Sequence, residues 1–394
     1  MLGLVVLSQL PFAYRRYRLA RLQKAIQQLE LQRATPPGES EFVDYQGVIH
    51  VHSALGGHST GAFAELIAAA KANQLDFVIM TEHPQAEFDT SAMTLSGVHA
   101  GVLFVSGNEV ATASGDRLLL IPGSAYAASM STQTTPEVIS KQKAMGGLAF
   151  AAYPAESQTW QSSSADGVEV YNLFTNARQY NAFVGVFDSV WSYRGAADLM
   201  FANFFTRPAE NLKRWDEATS GGHKSVAIAG NDAHSNIGVS VNDASGKQWL
   251  GVKLDPYERS FRVVRTHVLI KKDKGLTREA LLETIAQGHC YISFDLFGEA
   301  KGFTFAAVGA AANIMGDQTP LFGGLRLRAA APYSCRFVLF KNGVVAGEQS
   351  GTAVEFAVDA AGTYRVEAYL DSLPSPVKGQ PWIISNPIYI TPSM

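Results

Sequence analysis

His50, His52 and His58 stand in the stretch HVHSALGGHS, three of the chain's nine histidines within nine residues. Similar residue types follow other short apolar runs: Glu82 and His83 after LDFVIM, Glu109 after VLFV, Glu169 and Asn172 in GVEVYN, and Asp232 and His234 after SVAIAG. Imidazole and carboxylate donors together suit zinc, manganese or iron. A hydrolytic centre uses that mixture because the carboxylates offset two dications while other positions stay open for water and substrate. His50 and His52 are two residues apart, which puts both on one face of a strand. The Gly56-Gly57 pair can bend the chain and return His58 to the same place. His99, His223, His267 and His289 read as structural or surface residues.

The elements that must position these groups alternate. GVIHVH, LDFVIMTEH, VLFVSGNEV, LLLIPG, LAFAAYP, GVEVYN and SVAIAGNDAH are runs of strand type, and AFAELIAAAKANQ and TTPEVISKQKAMGG are of helix type. RTHVLI, the helix LTREALLETIAQG and CYIS complete the series. Strands alternating with helices predict a parallel β/α architecture, and seven or so units in about 250 residues predict a barrel. In such a barrel the functional groups sit at the C-terminal strand ends, where these residues fall. The helix-rich stretch 176–220 is longer than one crossover needs and predicts an insertion over the mouth. From Phe303 onward, alternating runs with turn signals at Lys341-Asn342-Gly343 and Ala361-Gly362 predict a small antiparallel β-sandwich. The expected division is an N-terminal helical and linker segment 1–40, a barrel 41–298 and a sandwich 299–394.

Composition narrows the function classes. A formal net charge of −3 over 394 residues argues against a nucleic-acid binder that relies on bulk charge. Two cysteines, Cys290 and Cys335, make neither a disulfide framework nor a Cys-x-x-Cys pair. The N-terminus starts apolar and turns basic, with Arg15, Arg16, Arg18, Arg21 and Lys24 all ahead of the first acid, Glu30. Its apolar run is far shorter than the ~20 residues of a spanning helix and does not read as a signal peptide. Two readings stand: a solvated helix leading into the domain, or a membrane-proximal helix or the end of an anchor. A cytoplasmic and a membrane-associated or envelope location are both open, as is the oligomeric state. TPPGES, Thr35 to Ser40, reads as a linker.

Taken together and in order, HVHSALGGHS, TEH, GNEV, VEVYN and GNDAHS resemble the PHP superfamily, named for polymerase and histidinol phosphatase domains. LKRWDEATSGGHKSVAIAGNDAH and QPWIISNPIYI are similar to segments of its carbaryl-hydrolase-like branch. The resemblance implies a distorted (β/α)7 barrel with up to three metals in its mouth. Carried over by motif, it implies one metal on His50, His52, Glu109 and Asp232 and a second on His58, His83 and His234. Glu109 would bridge toward a third. There the chain departs from the pattern: Arg117 and Leu118 occupy the region of one expected histidine, and Tyr153 stands where another precedes proline. The expectation is a two-metal centre with the third position degenerate, Arg117 or Tyr153 filling its space. Glu82 stands where the family has aspartate, and either orients a histidine ligand or is displaced without consequence.

The function expected is a metal-dependent hydrolase, a phosphoesterase, in which water bridging two divalent cations (zinc, manganese or iron) serves as the nucleophile after losing a proton. GHSTG (57–61) is not read as a nucleophile elbow, and the metal-activated water needs no serine or cysteine nucleophile. His58 and His234 are candidates for proton transfer, and Arg117 and Arg178 for holding an anionic small-molecule phosphoester. Arg207 and Lys224 read as surface charges. Two other readings are a hydrolase of carboxylic esters, amides or carbamates, and a non-catalytic module that binds a metal or an anion.

Overall fold

In the computed structural model, residues 2–34, 41–157, 159–162, 164–178, 181–236, 238–242, 248–309 and 313–393 are described. The expected linker Thr35–Ser40 lies outside them. Helix α1 (Leu2–Glu30) buries Leu19, Leu22, Ile26 and Leu29, spaced three and four apart, so one face of its C-terminal half is core.

Strand β1 (Phe42–Val51) does two jobs. Its first half is half-exposed and pairs antiparallel with β12 (Arg265–Lys271); its second half is buried on both faces. That buried half runs parallel between β2 (Phe77–Met80) and β9 (Val226–Ala233), with α2 (Phe63–Ala72) as the crossover to β2. Beyond β2 follow α3 (Thr90–Met93), β3 (Gly97–His99) and β4 (Val102–Val105), with β4 parallel to β2 and antiparallel to β3. On the other side β8 (Gly167–Asn172) is parallel to β9, and β7 (Leu148–Ala152) is parallel to β8. Between β4 and β7 lie β5 (Asn108–Ala111), β6 (Arg117–Ile121), α4 (Ala127–Met130) and α5 (Thr135–Ala144). An isolated bridge from Glu82 to Asn108 sets β5 beside the end of β2.

The result is a mixed α/β fold around a large sheet. The expected all-parallel order is broken at β1–β12 and β3–β4 and in two further places. β5–β6 is antiparallel because the Thr112–Asp116 connection is a tight turn and a parallel return needs a crossover of about a dozen residues or more; β6–β7 is also antiparallel, although α4 and α5 lie between them. β12 and β13 (Cys290–Ser293) are likewise antiparallel, although α10 (Arg278–Gln287) lies between them. Ile49, Ile79, Val105, Leu119, Phe150 and Ile228, one from each of six strands, bury into one cluster that forms an apolar floor.

The helix-rich stretch divides. From α6 (Leu173–Arg178), Phe174, Thr175 and Arg178 reach a cavity at the strand ends, whereas α7 (Ala182–Ala196) packs on α1. α8 (Ala209–Ser220) leads into β9, a two-stranded ribbon of β10 (Gly238–Asn242) and β11 (Gln248–Lys253) follows, and α9 (Tyr257–Val263) leads into β12.

The C-terminal region is β-rich: β14 (Thr304–Val308), β15 (Asn313–Ile314), β16 (Gln318–Pro320), β17 (Arg326–Lys341), β18 (Val344–Ala357), β19 (Gly362–Tyr369), β20 (Ile383–Ser385) and β21 (Ile388–Thr391). Its longest hairpin turns at Asn342 and Gly343, both with positive φ, where the sequence signals a turn. β20 pairs with β13, which joins this region to the larger sheet. Asn386, within the QPWIISNPIYI segment, clamps the join: it accepts from Ala227 N at 2.8 Å and donates to Ala227 O and Cys290 O, both at 2.9 Å. Asp216 on α8 takes Arg365 in a two-point ion pair at 2.6 and 2.7 Å, and Glu367 bonds both Arg365 and Arg207. Arg207 is therefore a bracing residue, not the solvated charge expected, because its partner is wholly buried and needs neutralising.

His267 on β12 is buried between Asp44 Oδ1 at 2.7 Å and Asp295 Oδ2 at 3.3 Å. Burial pushes its pKa down, but the two carboxylates outweigh burial and raise it to about 9. A raised folded-state pKa stabilises the fold fully below the unfolded value of about 6.5, and that contribution fades as pH rises through 9. Denaturant unfolding at a series of pH values is expected to show stability falling across this window, with a smaller slope in His267→Gln.

Candidate metal centre

His50 sits at a register break in β1, where Ile49 and Val51 pair but His50 does not. Its φ is 66°, a left-handed backbone that costs a non-glycine residue about 1–3 kcal/mol. Asp232 (φ 47°) and Tyr153 (φ 51°) share this feature, so three of the eight non-glycine residues with positive φ among the described residues meet at one place. The bulge turns the His50 ring toward that of His52, 5.1 Å away between centroids. Regular alternation along a strand, the expected reason for their meeting, is not the mechanism: His52 lies just past the strand end.

Four of the expected ligands converge as expected. His50 Nε2 lies 3.3 Å from Glu109 Oε2 and 3.5 Å from Asp232 Oδ1, and His52 Nε2 lies 3.4 Å from each of the same oxygens. All four residues are buried. Neither Nε2 has a hydrogen-bond partner. Buried polar atoms are nearly always paired, so two unpartnered ring nitrogens facing two carboxylates need a reason. The separations supply it. A tetrahedral shell with bonds of ~2.0–2.1 Å has donor–donor edges of about 3.3–3.4 Å, so the quartet fits a divalent cation.

The second group differs in membership from the expected one. His52, His83 and His234 can bring ligand atoms within 4.8 Å of one another, with the His52 ring stacked between His83 (4.5 Å) and His234 (4.4 Å). His234 donates Nδ1–H to the Asp232 carbonyl at 2.8 Å, which leaves Nε2 as its open lone pair. His58 is exposed and lies outside this trio, its ring centroid 4.9 Å from that of His83 in an edge-to-face contact. The Gly56-Gly57 bend does carry it back to the mouth, and Asn236 Nδ2 holds the loop by donating to His58 O at 2.7 Å.

The surroundings fix protonation. Burial drives the His50 pKa down, but Glu169, Asp232 and Glu109 outweigh it and raise it well above the usual value. Burial and the neighbouring His52 lower His83 to about 4, and His234 is lowered for the same reasons. Burial pushes Glu109 and Asp232 up, yet the imidazoles prevail, holding Glu109 down at about 2 and Asp232 well below its ordinary range. The site thus keeps its carboxylates ionised.

Glu169 has a specific task. Its Oε1 takes His50 Nδ1–H at 2.6 Å, which orients the ring and turns Nε2 toward Glu109 and Asp232. Asn172 Nδ2 steadies both Glu169 Oε2 (3.1 Å) and Asp232 Oδ2 (3.2 Å). Gly230 makes room: a Cβ there would stand 1.6 Å from Glu169 Oε1 and 3.0 Å from His50 Cβ. Sequence reasoning noticed Glu169 and Asn172 as strand-end residues but gave them no task, and passed over Gly230.

Arg117 Nη1 lies 3.1 Å from Glu109 Oε1, and the Tyr153 hydroxyl donates to Asp232 Oδ2 at 2.7 Å. Burial and the adjoining carboxylates raise the Tyr153 pKa, so the hydroxyl stays a donor. Among the described residues the Glu82 carboxylate bonds no histidine. It accepts from Ser53 N, Ser53 Oγ (2.6 Å) and Thr94 Oγ1 (2.8 Å), and so pins the turn after His52. A cavity of about 390 Å³ opens over the cluster, lined by His58, His83, Arg117, Tyr153, Arg178 and His234. Lys224 is elsewhere, donating to Gly316 O.

No family model matches the chain, and no curated protein matches it. Among solved structures, it is similar to a two-domain protein from Bacteroides vulgatus containing a predicted PHP-like metal-dependent phosphoesterase. That match has 14% identity and a TM-score of 0.41 and covers 90% of this chain and 98% of the other. It is also similar to PsfC from Pseudomonas syringae (12% identity, TM-score 0.39, 64% of this chain and 92% of the other). A candidate metal-dependent phosphoesterase from Bifidobacterium adolescentis matches at 14% identity and a TM-score of 0.31, over 51% and 89% of the two chains.

Glu169→Gln and Gly230→Ala are each expected to weaken cation binding about 10- to 100-fold without unfolding the chain. Competition against a chromophoric chelator measures this, with circular dichroism as the check on fold.

Proposed function

We propose that this chain is a metal-dependent hydrolase of the PHP superfamily, in its carbaryl-hydrolase-like branch, acting on an anionic phosphoester. The observation that carries the reading is the pair of orphaned, buried imidazole nitrogens held 3.3–3.5 Å from two ionised carboxylates. His50, His52, Glu109 and Asp232 would hold one divalent cation; His83 and His234, with His52 or His58, would hold a second. Zinc, manganese or iron there would lower the pKa of water to about 7 and polarise a phosphoryl oxygen.

The protein's own side chains do the rest. Tyr153 and Asn172 occupy Asp232 Oδ2, which leaves Oδ1 for the face shared by His50 and His52. Arg117 is half-exposed beside Glu109, and a guanidinium in that place offers donors to a phosphoryl oxygen while balancing charge that a third cation would otherwise balance. This supports a two-cation centre with the third position degenerate. Arg178 on the cavity wall is a second anchor for the anion. Where His52 completes the second ligand set, His58, exposed at the mouth, is placed to give a proton to a leaving oxygen; His234 takes that role only where it holds no cation.

The same proposal includes a distorted (β/α)7 barrel over 41–298, between an N-terminal segment 1–40 and a C-terminal sandwich 299–394. The run of pairings β2–β1–β9–β8–β7–β6–β5, with the Glu82–Asn108 bridge, supports it.

The test is turnover of an aryl phosphomonoester, an aryl phosphodiester and an aryl carboxylic ester by the chain loaded with manganese or zinc. Phosphoester cleavage is expected, abolished in His52→Ala with the fold retained. Cleavage of the carboxylic ester alone would replace the substrate class, and a loaded but inert chain would leave a binding module.

A further inference from the structure

Helix α1 carries a second stripe that the fold does not use. Leu7, Leu10, Tyr14 and Tyr17 are spaced three, four and three apart and are 60%, 57%, 62% and 56% exposed. The same register continues into Arg21 and Lys24, both exposed. The buried face, Leu19, Leu22, Ile26 and Leu29, lies on the other side of the helix. Contacts to α7 fix this orientation: Phe12 stacks on Phe187 at 5.1 Å, and Arg15 bonds Asp188 at 2.7 Å. Trp191 of α7 is also exposed and donates Nε1–H to Gln9 Oε1 at 3.1 Å, which sets a third aromatic ring beside the stripe.

We propose that this stripe docks the protein on an anionic phospholipid surface, with α1 lying in the plane of the interface. Aliphatic and aromatic side chains fit the boundary between headgroups and acyl chains, where tyrosine and tryptophan place a polar edge in water. Arg21 and Lys24 then meet lipid phosphates. Charge agrees: five cations stand in α1 before its first acid, Glu30, although the chain as a whole carries −3. No helix among the described residues is long and apolar enough to cross a membrane, and in this docking α1 lies on the surface. A parallel pair of copies is a poorer occupant, because Arg21 and Lys24 would face their own like charges along the seam.

Sedimentation of the full chain with vesicles tests the proposal, using phosphatidylcholine alone or mixed with phosphatidylglycerol. Binding is expected to the anionic vesicles only, and to fall as salt shortens the screening length. Arg21→Gln/Lys24→Gln is expected to weaken it about 30-fold, and Leu10→Glu/Tyr14→Glu at least as much, with circular dichroism unchanged in both. Absence of binding to anionic vesicles, or equal binding by the variants, overturns the proposal. So does a concentration-dependent dimer, without vesicle binding, that Leu10→Glu/Tyr14→Glu dissolves: that result assigns the stripe to a second copy.

Discussion

Keeping ionised carboxylates in the interior is the constraint on which this structure turns. Glu109 and Asp232 are buried at the strand ends, and an unpaired charge there would cost several kcal/mol. They are offset by imidazoles at 3.3–3.6 Å, by Arg117 on Glu109 and by Tyr153 and Asn172 on Asp232. Much of the local architecture follows from that need. The β1 bulge delivers His50, left-handed backbone at Asp232 and Tyr153 aims their side chains inward, and Gly230 leaves space for the Glu169 carboxylate behind His50. Backbone strain of this kind persists only where the surroundings over-determine it. Here the bracing comes from the Asn386 clamp between β9 and β13 and from the Asp216–Arg365–Glu367–Arg207 chain of ion pairs.

Residues of two kinds meet at the centre, and the distinction has chemical meaning. His50, His52, Glu109 and Asp232 are buried and orient one another, which suits a tightly held ion. His58 and Arg178 are exposed, and Arg117 is half so, which suits groups that meet a substrate arriving from water. The loop from Ser53 to Gly61 links the two sets. Glu82 pins its start, Tyr257 donates to His52 O at 2.5 Å, and Ser59 donates to His234 O.

Much of this was legible in the sequence because parallel β/α folds put chemistry at strand ends, and ionisable residues recur after one apolar run and the next. That regularity located His50, His52, His83, Glu109, Asp232 and His234. It could not reveal which imidazole is shared, since His52 stacks between His83 and His234 only through the bulge that precedes it. The task of Glu169 and the need for Gly230 were hidden for a related reason: a supporting carboxylate and the gap it needs have no signature until the strands are paired. The antiparallel β5–β6 turn, by contrast, was readable. Five residues, Thr112 to Asp116, are too few for a crossover. At Glu82, likeness to a family position left open whether the carboxylate orients a histidine or is displaced, and local geometry makes it a turn clamp.

The central claim is that His50, His52, Glu109 and Asp232 form a cation site. Anomalous diffraction from crystals grown with zinc or manganese tests it most directly. The account predicts a peak between His50 Nε2, His52 Nε2, Glu109 Oε2 and Asp232 Oδ1, about 2.0–2.2 Å from each. A clear map with no peak there, or with the metal bound only on surface residues, would contradict it.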